Sequence, residues 1–119
     1  MALEATWKDE DGYRRVCLRG DPSLGQILSY LELMAVETSS APRGLLLVDL
    51  RGITSLTGFT EQFTLGERAA SKLGHLHKLA SLVPPGRRTR NSERTARAAG
   101  FNLRVFEDEG EAIAWLRGS

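Results

Sequence analysis

The run Gly44-Leu45-Leu46-Leu47-Val48-Asp49-Leu50 constrains this chain more than any other segment. It is almost continuously apolar and shows neither the alternation of a half-buried strand nor the spacing of an amphipathic helix. Such a run fits a strand covered on both faces, as in a parallel sheet flanked by helices. Parallel neighbours need long crossovers, usually helical. The segments on either side must therefore supply helices and further strands.

They do so in alternation. Glu4 to Lys8 reads as a first strand, with Ala5 and Trp7 on the face opposite Thr6. Asp9-Glu10-Asp11-Gly12 supplies turn chemistry, with Gly12 able to take positive φ. Tyr13 to Arg19 follows as a second strand, and the two predict an antiparallel hairpin. Gly20-Asp21-Pro22 breaks the strand. Asp21 suits an N-cap and Pro22 a first helical position. Leu24, Ile27, Leu28, Leu31 and Met34 recur at helical spacing, predicting a helix to about Glu37, and Thr38 to Pro42 form a loop.

After the central strand, Arg51 to Gly58 lead into a second helix carrying Phe59, Phe63, Gly66, Ala70 and Leu73 on one face. Gly66 and Ala70 read as packing residues that let this helix lie close to the sheet. Leu79 to Val83 is the next strand, ended by Pro84-Pro85-Gly86. Asn91 or Ser92 caps a short third helix ending near Gly100. Asn102 to Phe106 is the last strand. Asp108 and Glu111 have capping-box spacing before Ala112, Ile113, Trp115 and Leu116, and Arg117 suits the helix end. The order β-β-α-β-α-β-α-β-α predicts an α/β fold: a mostly parallel sheet with helices packed on it and an antiparallel N-terminal edge hairpin.

At 119 residues, the chain matches one domain, spanning residues 1–119. Its 16 basic and 15 acidic residues nearly cancel, which argues against a dedicated nucleic-acid binder. The single cysteine, Cys17, allows no internal disulfide and no thiolate cage. Flanked by Val16 and Leu18, it reads as a small buried hydrophobe. The polar N-terminus and the lack of a long apolar run predict a cytoplasmic protein without a transmembrane segment.

This order of elements resembles the STAS domain family, the fold of bacterial anti-sigma factor antagonists, and looks closer still to its divergent SpoIIAA-like branch. Two segments carry the resemblance. Leu45 to Thr54 is similar to the family's central strand: an apolar run, then Asp, Leu, a polar residue, Gly, a β-branched residue and Thr. Arg104-Val105-Phe106-Glu107-Asp108 through Ala112-Ile113-Ala114-Trp115-Leu116 is similar to the divergent branch's last strand and its Ala-Leu-Ala-Trp-Leu helix.

One departure stands out. Antagonists carry Asp-Ser-Ser-Gly at the start of the second helix, with the second serine phosphorylated. Here Thr57, Gly58, Phe59 and Thr60 occupy those places, so Phe59 stands where the acceptor would be. The resemblance implies a regulatory, non-enzymatic protein-interaction module lacking the usual phosphoserine. It implies a protein partner, a kinase-like or signalling regulator, and no cofactor.

The candidate site residues lie around the carboxyl ends of the buried strands, where open α/β sheets bind ligands. Thr54, Ser55, Thr57, Gly58 and Thr60 precede or open the second helix, whose N-terminus favours anions. Thr57 and Thr60 are the candidate phospho-acceptors, although Thr57 reads first as a plain N-cap before Gly58. Arg87 and Arg88 follow the other buried strand and should emerge at the same edge, where a guanidinium pair would hold an anion or a phosphothreonine. Arg90, Arg94 and Arg97 share one helix face, and a charge run such as Arg87, Arg88, Arg90, Arg94 and Arg97 usually reads as solvated surface. The alternative function is a small anion, nucleotide or lipid sensor using this edge.

The other chemistry-bearing residues suggest less. His75 and His77 have no acidic or thiol neighbour to complete a metal set, so no metal site is expected. Asp49, alone in the central strand, reads as an acceptor of backbone N–H groups near the strand end, without a second carboxylate in sequence reach to make a catalytic dyad. No nucleophile elbow, phosphate-cradling loop or dinucleotide fingerprint is present. The Leu-rich first helix leaves a homodimer open.

Overall fold

A computed structural model describes residues 3–10, 12–39, 44–53, 67–84, 94, 97–98 and 100–118. Its five strands are β1 (Glu4–Asp9), β2 (Arg14–Gly20), β3 (Leu45–Ile53), β4 (Lys78–Leu82) and β5 (Leu103–Phe106). The helices are α1 (Leu24–Glu37), α2 (residues 67–72) and α3 (Glu109–Arg117). Residues 94, 97 and 98 are also helical.

The strands form one sheet in the order β1-β2-β3-β4-β5. β1 pairs antiparallel with β2, and the other three pairings are parallel. Among the described residues the predicted class and order hold, with boundaries shifted by a few residues; Phe63 and Gly66 of the second helix, and Asn91 and Ser92 proposed to cap the third, lie outside them. Gly12, at φ 89°, occupies the left-handed region in the hairpin connection.

Parallel strands that follow one another in sequence and space need crossovers of one hand, which place the intervening helices on one face. Leu31 and Met34 of α1 and Ala69 of α2, with Leu73, pack against Val16, Leu18, Leu46, Val48, Leu79, Leu103 and Val105. Ala112 and Leu116 of α3 pack on the other face, against Tyr13, Leu45, Leu47, Ala80, Leu82 and Phe106. β3 thus divides its side chains between two cores, with Leu46 and Leu47 both at 0% exposure. This is the physical reason for its unbroken apolar run: each face needs every second residue apolar, and there are two faces to satisfy.

Three expectations need correction. The N-cap of α1 is Ser23, not Asp21. Gln26 N–H donates to Ser23 Oγ at 3.2 Å, and Ser23 N–H donates to Gln26 Oε1 at 2.8 Å. This reciprocal pair satisfies two backbone donors that Asp21-Pro22 would leave to a single side chain. Pro22 instead lies buried just before the helix.

β3 also runs three residues beyond Leu50, to Ile53, because β2 continues beside it. The register shifts between Cys17 and Arg19, and Gly52 fits there: a Cβ would lie 3.1 Å from Leu18 O and 2.9 Å from Arg19 Cγ. Finally, Cys17 is half-buried and its neighbours are charged, as described below. Strand alternation points it away from Val16 and Leu18.

Candidate functional site

β3 and β4 are adjacent and parallel, with Asp49 opposite Leu82. Their carboxyl ends therefore reach the same edge of the sheet. Thr54, Ser55, Thr57, Gly58 and Thr60, together with Phe59, Arg87, Arg88 and Arg90, lie outside the described residues. Arg94 and Arg97 are exposed on helical residues.

Near that edge, on the α3 side of the sheet, the structure assembles a polar cluster that sequence reasoning found only in part. Asp49, directed away from Leu46 and Val48, sits beside Arg51, which strand alternation places on the same face. Arg15 projects from β2 on that face, and Glu109 opens α3 above it. Asp49 Oδ1 accepts from Arg51 N–H at 3.1 Å and from Arg51 Nε at 3.0 Å. Asp49 Oδ2 accepts from Arg51 Nη2 at 2.8 Å and from Arg15 Nη2 at 3.1 Å. Arg15 also donates to both oxygens of Glu109, at 3.1 and 3.2 Å, and Arg51 Nη2 donates to Glu109 Oε1 at 2.9 Å. Cys17 Sγ completes the group, 3.5 Å from Arg15 Nε and 3.9 Å from Asp49 Oδ2.

Two guanidinium groups thus face two carboxylates with no net charge. Burial pushes the Asp49 carboxyl up, but the side-chain and backbone hydrogen bonds of Arg51, with the charges of Arg51 and Arg15, outweigh it and hold it below the usual range. The hydrogen bond from Arg15 holds Glu109 low against a smaller opposing effect of burial. Neither carboxyl is tuned toward neutral pH, as a general acid or base would be. The cluster instead fastens the first turn of α3 to β2 and β3. The backbone N–H bond expected at Asp49 is present, but its side-chain donors Arg51 and Arg15, and the link through both guanidinium groups to Glu109, were not part of that expectation. The one readable signal was the Asp49-x-Arg51 spacing on a strand.

The remaining candidates have structural partners. His75 Nε2 lies 2.9 Å from Thr38 Oγ1, which also donates to Met34 O at 2.7 Å at the end of α1. His77 donates its backbone N–H to Gly44 O at 2.7 Å. Among the described residues no group of three His, Cys, Asp or Glu could hold a metal, and no helix is long and apolar enough to cross a membrane. Lys78, only 6% exposed, donates to Trp115 O at 2.7 Å and Gly118 O at 2.9 Å, and its Nζ lies 5.1 Å from the Trp115 ring centroid. Trp115 also packs on Phe106, with ring centroids 5.8 Å apart. Its role in the last helix is to cover the sheet.

No family model matches this chain, and no curated protein matches it. Among solved structures, it is similar to an anti-sigma factor antagonist from Mycobacterium paratuberculosis, at 16% identity over 98% of this chain and 95% of that one, with a TM-score of 0.62. The chain has a STAS-like fold. It is also similar to an uncharacterised protein with a SpoIIAA-like fold from Shewanella loihica, at 18% identity over 96% of this chain and 93% of that one, with a TM-score of 0.49. The STAS-like likeness extends over nearly the whole length, so hairpin, parallel strands and final helix all belong to the shared architecture.

Proposed function

We propose that this chain is a non-enzymatic regulatory module that docks onto another protein through the carboxyl edge of its sheet. The observation that carries the reading is the whole-length likeness in fold to an anti-sigma factor antagonist. The closed ion-pair cluster supports it: the most concentrated set of titratable groups among the described residues is occupied with holding α3 to the sheet.

The docking face comprises Thr54, Ser55, Thr57, Gly58 and Thr60 with Arg87 and Arg88. Its partner is a signalling regulator, kinase-like in kind, and the setting is cytoplasmic. With Phe59 at the family's acceptor position, any phosphate is carried by Thr57 or Thr60. The shared edge of β3 and β4 gives this face its physical basis, because parallel strands deliver their outgoing turns to one rim.

Affinity capture with the wild-type chain, beside an Arg87→Ala/Arg88→Ala variant, tests the reading. One protein should be enriched by the wild type and lost by the variant. Equal recovery by both, or no specific protein, contradicts it. Mass spectrometry of natively expressed chain should find phosphate on Thr57 or Thr60; both unmodified across growth conditions removes that element.

The same edge supports a second reading, a sensor of small anions, nucleotides or lipid headgroups, since ligands favour the carboxyl ends of parallel strands. A thermal shift with such a compound that disappears in the Arg87→Ala/Arg88→Ala variant would favour the sensor over the docking module.

A further inference from the structure

Among the described residues β1 is an edge strand of the sheet, and its hydrogen-bonding pattern can be read residue by residue. Glu10 N–H donates to Tyr13 O at 2.8 Å, which makes Glu10–Tyr13 a hydrogen-bonded pair. Antiparallel pairs alternate between hydrogen-bonded and non-hydrogen-bonded. The β1–β2 register runs without a shift from Asp9–Arg14 to Glu4–Arg19. The backbone groups of Lys8, Thr6 and Glu4 therefore point toward β2, and those of Asp9, Trp7 and Ala5 point outward.

The strand carries neither of two common protections of an edge: it has no proline and no bulge. Beside it runs an open groove of about 450 Å³ lined by Trp7, Lys8, Asp9, Arg14, Val36 and Glu37. Trp7 Nε1–H donates to Tyr30 Oη at 2.7 Å, which ties the strand to α1. Tyr30, Leu33 and Val36 follow one another at three-residue steps, so they lie along one side of that helix. Leu33 is 49% exposed and Val36 is 68% exposed.

We propose that β1 pairs with β1 of a second copy, antiparallel about a two-fold axis at Thr6, joining two sheets into one. The sequence of the strand selects both occupant and register. Outward-pointing residues must meet outward-pointing residues, so Ala5 pairs with Trp7 of the second copy, and Trp7 with its Ala5. Thr6 then meets Thr6. Glu4 and Lys8 meet Lys8 and Glu4 at non-hydrogen-bonded positions, where side chains approach most closely.

Both charged contacts are thus attractive, and the small Ala5 leaves room for the indole opposite. Moving the register two residues one way sets Glu4 against Glu10. Moving it the other way loses both Glu4–Lys8 contacts. Lys8 is 72% exposed and its ion pair with Glu10 is long, at 4.0 Å, so turning to the new contact costs little. The two-fold axis keeps both α1 helices on one face, with Leu33 and Val36 of each turned toward the shared strands. The carboxyl edge, at the ends of β3 and β4, stays open in this arrangement.

Sedimentation velocity across about 1 µM to about 1 mM covers the weak affinity expected when the paired strands bury less than the roughly 800 Å² per partner of a standard interface. Wild type should dimerise with concentration. Lys8→Glu, which turns both charged contacts repulsive, should weaken dimerisation about tenfold or more. Glu4→Lys added to Lys8→Glu should restore it. Ala5→Pro removes an outward N–H, leaves the β1–β2 bonds in place and should abolish the dimer, with circular dichroism confirming the fold.

A chain monomeric throughout the range overturns the proposal. So does a dimer unaffected by Lys8→Glu, or one that the reciprocal charge exchange fails to restore.

Discussion

Asp49 and Arg51 stand two residues apart on one strand, and the guanidinium of Arg51 grips both oxygens of the Asp49 carboxylate, at 3.0 and 2.8 Å. Arg15 approaches the same carboxylate from the neighbouring strand, with side-chain exposures of 14% for Arg15 and 10% for Asp49. A charge so covered is tolerated only with its partners in place.

Asp49→Ala should therefore destabilise the fold by about 2–4 kcal/mol, because it leaves the Arg15 guanidinium largely covered with one partner fewer. Urea unfolding measures this directly. A loss below about 0.5 kcal/mol, the usual size for a surface change, would show that the cluster is ornamental to stability.

Acid should loosen the same fastening. Asp49 and Glu109 both have folded pKa values below their ordinary ones. The stability they contribute is complete above the unfolded carboxyl pKa of about 4 and disappears as pH falls through the lower folded values. The urea midpoint should then fall below about pH 4. An Asp49→Asn/Glu109→Gln variant should start lower at neutral pH and fall less steeply in acid. An equal or steeper acid slope in the variant would contradict the assignment.

Lys78→Met keeps the length of the side chain but removes the donor to Trp115 O and Gly118 O. A loss of about 1–3 kcal/mol is expected, because two carbonyls at the end of α3 lose their partner. Hydrogen exchange should quicken at the last turn of α3 more than in β3. Unchanged exchange there would mean that Lys78 does not cap the helix.

Gly52→Ala tests the bulge between β2 and β3. The new methyl would press on Leu18 O at 3.1 Å and Arg19 Cα at 3.3 Å, so the strands must separate by a few tenths of an ångström. A loss of about 1–2 kcal/mol in urea unfolding is expected. A neutral or stabilising result would show that the bulge relaxes freely.

The fold was readable where chemistry is local. The two-faced apolar run of β3 announced a covered parallel strand, and Gly12 announced the hairpin connection. The Asp108 cap was equally plain: its carboxylate accepts from Glu111 N–H at 2.9 Å. The cap of α1 was misread because Asp21-Pro22 and Ser23-x-x-Gln26 are both valid signals. Only the geometry of the chain entering the helix chooses the reciprocal one.

The cluster was not readable for a different reason. Arg15 is 34 residues from Asp49 and 94 from Glu109, so its partners are set by strand order and by the crossing of α3 over the sheet. Cys17 shows the same limit: Val16 and Leu18 describe the opposite face, not its own.

In-cell photo-crosslinking tests the docking claim most directly, with the reactive group placed in turn at Thr57, at Arg88 and at Ala114 on the exposed side of α3. The account predicts the same protein captured from Thr57 and Arg88 and little or nothing from Ala114. Capture of that protein chiefly from Ala114, or none from the two edge positions, would contradict it.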